Sequence, residues 1–438
     1  MKLKKWISAM AISSLMLTAV GCSSTPAGGA ADEAKAPPPA SDDKSPITIQ
    51  YWHSHNDDQI KTLNYMIGEF QKKYPNITIE PVFQGGYPDL QNKLLAAVSA
   101  HNVPAVTNAE VSALPSMADG GMFADLTPYM KRDNFDLNDF SKGMLGAYAY
   151  NGKQYGLPLI VSAGINVYNK TLLDSLGLKP PQTWDEMEDF NKKVTVKENG
   201  KTTRYALEIP AWEPFYFDPW IFNSGGAILS ADGKTSVLDQ PANMKWILTF
   251  QRWMQEGSLQ IGYGAGASDT MRQMFLNGQI AMVDHTSAVL KTYLQNAKFE
   301  VGVSFFPGDK QHISHMGGAG IVMMDGAPAK EKEAAWKFIQ FMSDAEHNIK
   351  WAEGTGYLPT RKSVVNTEEG KAYFAKYPQY KVVFDNFDNV VGRPQHPKYQ
   401  EFSKVYQNVV GQMVLNKADP TPLMKDAVKQ INQILSDK

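Results

Sequence analysis

Between residues 47 and 110 the apolar positions alternate, then fall at helical spacing, then alternate again. Ile47, Ile49 and Tyr51 alternate as in a strand, and Ile60, Leu63, Ile67 and Phe70 follow at the spacing of one helix face. Tyr74-Pro75-Asn76 breaks that helix, and Ile77, Ile79 and Val82 predict a second strand. Gly85-Gly86 turns the chain, Pro88 opens a helix carrying Leu90, Leu94 and Val98, and residues 104–107 predict a third strand. Strand–helix–strand–helix–strand is the pattern of an α/β, doubly wound, largely parallel sheet. Ligands of such sheets lie beyond the carboxyl ends of the strands. Three polar and aromatic groups fall there: Trp52-His53-Ser54, Gly85-Gly86-Tyr87 and Asn108-Ala109-Glu110.

Further along, the punctuation is equally local. Asn151-Gly152 predicts a tight hairpin, followed by a strand in the segment 159–170. Thr183 and Glu186 have capping-box spacing, with Met187, Phe190 and Val194 on the helix face and Trp184 in the core. Residues 205–226 hold Trp212, Phe215, Tyr216, Phe217, Trp220 and Phe222, interrupted by Pro210, Pro214 and Pro219. Three prolines exclude one continuous buried helix and predict a broken segment that could line a cleft. Residues 275–282 predict a helix end, a glycine turn and a strand, and the polar run Asp284-His285-Thr286-Ser287 ends that strand. Ala335, Phe338, Ile339 and Met342 mark a helix face. Ser343 with Glu346 has the spacing of a capping box for the next helix, with Gly354 as its stop, Gly356 as a second bend and Pro359 blocking a restart. Tyr357 stands between the bends as a ring on stiff backbone. From residue 363 onward the chain reads as helical.

Residues 1–22 read as a targeting segment. Lys2, Lys4 and Lys5 precede an apolar run at 7–20, shorter than the ~20 residues a bilayer span needs. It ends at Cys22, the only cysteine of the 438 residues, which follows a small residue as in a bacterial lipobox. These features predict a lipoprotein signal peptide and an acylated Cys22. Residues 23–46, small, polar and proline-rich, predict a flexible linker. The remainder suits two lobes, since single cores seldom grow beyond ~250–300 residues. One cysteine leaves no disulfide framework. The net charge of −2 and the absence of a basic run exclude a nucleic-acid binder, while 11% aromatics with nine Trp need a core or a ligand cleft to house them.

Catalytic signatures are missing. The chain has no Gly-x-Ser-x-Gly, no His-Glu-x-x-His and no Gly-x-x-x-x-Gly-Lys-Ser/Thr. His53-x-His55 and His312-x-x-His315 lack the spacing of a zinc site, so no metal or cofactor is expected. A secreted carbohydrate-active hydrolase using Glu110 is the alternative reading.

Five ordered motifs stand out: Thr-Gly-Tyr-Leu-Pro at 355–359 after a Trp-containing helix, the Gly-x-Tyr turn at Tyr87, Pro-x-Thr-Trp-x-Glu at 181–186, Phe-Leu-Asn-Gly-Gln-Ile-Ala-Met at 275–282 and Met-Gly-Gly-Ala-Gly at 316–320. Together they resemble the extracellular solute-binding proteins of bacterial ABC importers, the family that takes up sugars and glycerol phosphates. The resemblance spans residues 47–435. It implies a type II periplasmic-binding-protein fold: two lobes, each a doubly wound sheet flanked by helices, joined by a hinge. Lobe one is expected over 47–160 plus 284–320 and lobe two over 161–283 plus 321–438, with crossings near 160, 284 and 320. It implies ligand contacts at Tyr87, Glu110, Ser162, Trp212, Phe215, Gly318, Tyr357 and Arg393, and at Thr286 or Ser287. Phe215 stands where family members carry Trp. Expected partners are a polyol phosphate or sugar and the permease subunits. The chain would be a lipid-anchored monomer on the outer face of the cell membrane that is no enzyme and closes on its solute.

Overall fold

A computed structural model describes residues 44–264 and 266–437. The proposed signal peptide, most of the linker and Cys22 lie outside the described residues.

The strands are β1 (Ile47–His53), β2 (Ile77–Phe83), β3 (Val106–Glu110), β4 (Ala149–Tyr150), β5 (Lys153–Gln154), β6 (Gly156–Asn169), β7 (Val196–Glu198), β8 (Lys201–Pro210), β9 (Leu259–Gly262), β10 (Ile280–Thr286), β11 (Val301–Ser304), β12 (Ser314–Met323) and β13 (Val390–Val391). The expected β-α-β-α-β unit is present, with β1 parallel to both β2 and β3. The helix Asp57–Lys73 starts with a reciprocal capping box between Asn56 and Gln59 and buries Leu63, Met66, Ile67 and Phe70. The sheet is mixed, not wholly parallel, because β12 runs antiparallel to both β3 and β6. Strand three begins later than the apolar pattern implied, so Glu110 is its last residue and does not follow it.

One long strand organises the rest. The first half of β6 pairs with β12, and its second half pairs with β10 and β11. Two sheet regions are thereby joined through one continuous backbone. Around the first region lies a core of Ile49, Tyr51, Phe70, Ile160, Trp336, Phe338 and Trp351. Around the second lies another of Trp184, Phe190, Trp220, Trp246, Trp253, Phe402 and Val428. The expected boundaries put 321–438 in the second lobe. The helix Ala329–Ser343 packs instead in the first core, its Phe338 ring meeting Tyr51 and Phe70 at centroid distances of 5.7 and 5.2 Å. Likewise β11 lies beside the second half of β6, not in the first region.

Two local readings also change. The helix Ala345–Thr355 is capped by Asp344, which accepts from His347 N, while Ser343 closes the preceding helix. Gly354 lies inside that helix, close against Thr62, and Gly356 (φ 81°) is the stop. The short β13 within the helical C-terminal region forms only by pairing with β12, a partner no local pattern reveals.

Glu208 on β8 carries a measurable consequence. It is 1% exposed; Oε1 accepts from Gln260 at 3.5 Å and Oε2 has no partner. Burial pushes its carboxyl up to about 8. A folded-state pKa above the unfolded value means stability is full below about pH 4.5 and is lost as pH rises through about 8. Glu208→Gln is therefore expected to flatten the fall of Tm between pH 5 and 8 and to stabilise the protein at pH 8 by about 2 kcal/mol. Parallel melting series of the two proteins across that range check this, and identical slopes would refute it.

Candidate functional site

A cavity of about 460 Å³ opens where the two sheet regions meet. Its wall collects residues from segments far apart in the chain. After β2, Gly85 takes a positive φ of 96° and Gly86 caps the helix Tyr87–Ser99, which puts the Tyr87 ring at the first helical position. Glu110 enters from the end of β3 and Ser162 from β6, opposite Gly317 of β12. Trp212 and Phe215 come from the proline-broken segment, which folds as the end of β8, a 3-10 turn at Pro214–Tyr216 and the short helix Asp218–Asn223. Tyr357 follows the positive-φ Gly356, and Arg393 follows β13. Nine of the ten expected contact residues therefore line one cavity. The exception is Ser287, which is fully buried and accepts from the backbone N–H of Ala163 at 3.0 Å. Thr286 is the member of that pair in the wall.

Arg393 is the electrostatic centre. Its side chain is almost wholly buried and its guanidinium lies 5.3 Å from the centroid of Phe215. Nη2 is 3.3 Å from Glu213 Oε1 and 3.9 Å from Glu110 Oε1, while Nε has no partner. Burial disfavours its charge, but the carboxylates of Glu213 and Glu110 outweigh burial and hold its pKa above the ordinary arginine value. Burial raises the Glu110 carboxyl, partly countered by Arg393 and by Ser112. Glu110 accepts from Ser112 N at 3.0 Å and from Ser112 Oγ, and Ser112 Oγ in turn accepts from Gln400 at 3.0 Å. Deeper, Asp218 accepts from Tyr399 at 2.9 Å and Tyr406 at 3.0 Å, and burial pushes its carboxyl up to about 7.

Aromatic faces complete the wall. Phe215 is edge-on to Tyr216 at 4.9 Å, and Trp212, 41% exposed, donates from Nε1 to Ser268 Oγ at 2.8 Å. Rings and a few convergent polar groups around a concave space suit a small polyhydroxylated solute. Sequence reasoning missed Gln91, Ser112, Glu213, Tyr216 and Gln400. Only Glu213 and Tyr216 carried a signal, since they neighbour Trp212 and Phe215. Among the described residues no cluster of three or more His, Cys, Asp or Glu could hold a metal ion. His53 and His55 stack 4.7 Å apart at the end of β1, and Tyr51 shares a hydrogen bond with His55 Nε2 at 2.9 Å.

The family model of bacterial extracellular solute-binding proteins matches residues 65–381. The chain belongs to that family. This solute-binding protein is 27% identical over 349 residues to the sn-glycerol-3-phosphate-binding periplasmic protein of Pectobacterium atrosepticum, covering 75% of this chain and 77% of the relative. Its fold is similar to the Mycobacterium tuberculosis UgpB crystallised with glycerophosphocholine, at TM-score 0.74 and 23% identity over 89% of this chain and 98% of that one. It is also similar to the sugar-binding protein MalE of Xanthomonas citri, at TM-score 0.78 and 19% identity over 89% and 98%. The solute-binding protein has the two-lobed type II fold of these neighbours.

Proposed function

We propose that the chain serves an ABC importer by capturing a glycerol phosphate or glycerophosphodiester between its lobes and handing it to the permease unchanged. Arg393 carries the reading: it is the one basic side chain among the residues lining the cavity, and it is buried with an unpartnered Nε. A guanidinium fork matches phosphate geometry, and a desolvated pair of this kind is a strong contact. Glu110 and Ser162 would take the glycerol hydroxyls, with Tyr87, Trp212, Phe215 and Tyr357 packing on its C–H faces. Thr286 and the backbone of Gly318 would contribute further polar contacts. The relative's name, a glycerol-3-phosphate binder, supports the same solute class.

Closure would occur about β6, β10 and β12, with ligand favouring the closed state through contacts to both lobes. The lipobox-like Cys22 supports a lipid-anchored position on the outer face of the membrane. A neutral sugar is the second reading, favoured by the two carboxylates that already face Arg393.

Tryptophan fluorescence titration separates the two, because Trp212 is in the wall. Saturable changes with sn-glycerol-3-phosphate or glycerophosphocholine, and none with maltose or glycerol, are expected. Saturation by the sugar alone would replace this reading with the second one. Recovery of bound solute intact by phosphorus NMR checks that no bond is broken.

A further inference from the structure

Glu110 and Glu213 both face Arg393, but they are held differently. Glu110 is pinned by two donors of Ser112, itself tied to Gln400, and only 15% of its side chain is exposed. Glu213 has 30% of its side chain exposed, and Arg393 is its one side-chain partner among the described residues. Its backbone is extended (φ −148°, ψ 156°) just before Pro214, and with no second side-chain partner to hold it the carboxylate can leave Arg393 by rotation about its own side-chain torsions. It also makes the closer contact to the guanidinium, 3.3 against 3.9 Å.

We propose that Glu213 is a resident counter-anion that occupies the guanidinium of Arg393 until a phosphate displaces it, and that it thereby sets which phosphate esters the cleft accepts. This rests on the phosphate reading above. A buried guanidinium short of counter-charge is costly, and Glu110 supplies only the longer contact at 3.9 Å, so Glu213 completes the pairing in the empty cleft. An arriving phosphate takes the fork bidentately and leaves Glu213 facing another anion. Like charges at contact distance in a partly desolvated cleft repel strongly, and the repulsion grows with the ligand's charge. Glu213 therefore penalises a dianionic monoester more than a monoanionic diester and is indifferent to a neutral solute. Glu213 is the specificity-determining residue, a selector for diesters.

The test is calorimetric titration of the full chain and of Glu213→Gln with sn-glycerol-3-phosphate, glycerophosphocholine and glycerol. Glu213→Gln is expected to strengthen the monoester about tenfold, ~1.4 kcal/mol, and the diester about threefold, and to leave glycerol without measurable binding. Glu213→Ser, which cannot reach Arg393, is the second variant and should give the same ranking. An equal change for both esters, or weakened ester binding, overturns the proposal, because the carboxylate would then be structural or a direct contact. If the unaltered protein binds neither ester, the phosphate reading fails and takes this inference with it. If it binds esters yet the ranking is absent, only this inference fails.

Discussion

Arg393→Ala is expected to lower affinity for a glycerol phosphate ester by 100-fold or more, the largest single effect at the site. Truncating one partner of a buried, charged pair costs about 2–5 kcal/mol, and here the lost partner is the lone cation of the wall. The unliganded protein should lose stability as well, by roughly 1–3 kcal/mol, because Glu110 keeps its burial and loses its counter-charge. The sign with pH follows from Glu110. Its folded-state pKa is already raised by burial, so the stability associated with its protonated form is present at low pH and lost as pH rises. The deficit of Arg393→Ala should shrink as pH is lowered from 8 toward 5. Calorimetry with the ester and melts at both pH values measure the two effects. Unchanged affinity would sink the phosphate reading, and Arg393→Lys, a charge without the planar fork, should fall between.

Gly318→Ala should be the most damaging small substitution in the sheet. Gly318 has φ 98°, and a Cβ there would sit 1.8 Å from the carbonyl oxygen of Ile160. That atom is backbone, so it cannot rotate away, and β6 and β12 would have to part just before their register shifts between Ala319 and Gly320. A strained φ alone costs an alanine about 1–2 kcal/mol, and loss of neighbouring ladder bonds adds to it, for a total of ~3 kcal/mol or more. Ligand binding should fall too, because β12 carries Gly317 against Ser162 and Phe215. Gly121→Ala is the control: φ is 67° but no atom lies within 4 Å, so only the strain term remains. Urea denaturation of both variants decides between them. Equal losses would show that the close approach of β6 and β12 is not what demands glycine.

Much of the site was legible because its parts sit at punctuation marks. Tyr87 follows a glycine turn, Tyr357 a helix stop, and Trp212 and Phe215 stand among prolines that forbid a buried helix. Motif resemblance, not periodicity, singled out Ser162 and Gly318, since each is one residue within a long apolar strand. The choice between Thr286 and Ser287 lay beyond either, because it depends on Ser287, in the turn just after β10, being taken up by the backbone N–H of Ala163.

By itself the sequence determined the α/β class, most of the element types, the hairpin at Asn151-Gly152 and the turns that carry Tyr87 and Tyr357. Those depend on spacing and turn chemistry within a few residues. The tertiary structure alone decided that the helix Ala329–Ser343 packs on β1, that β13 exists, and that Glu213 faces Arg393 from 180 positions away. Such contacts are chosen by which buried surfaces and charges find partners after the chain has closed on itself. No local pattern encodes that choice, because each partner lies outside the window over which periodicity acts.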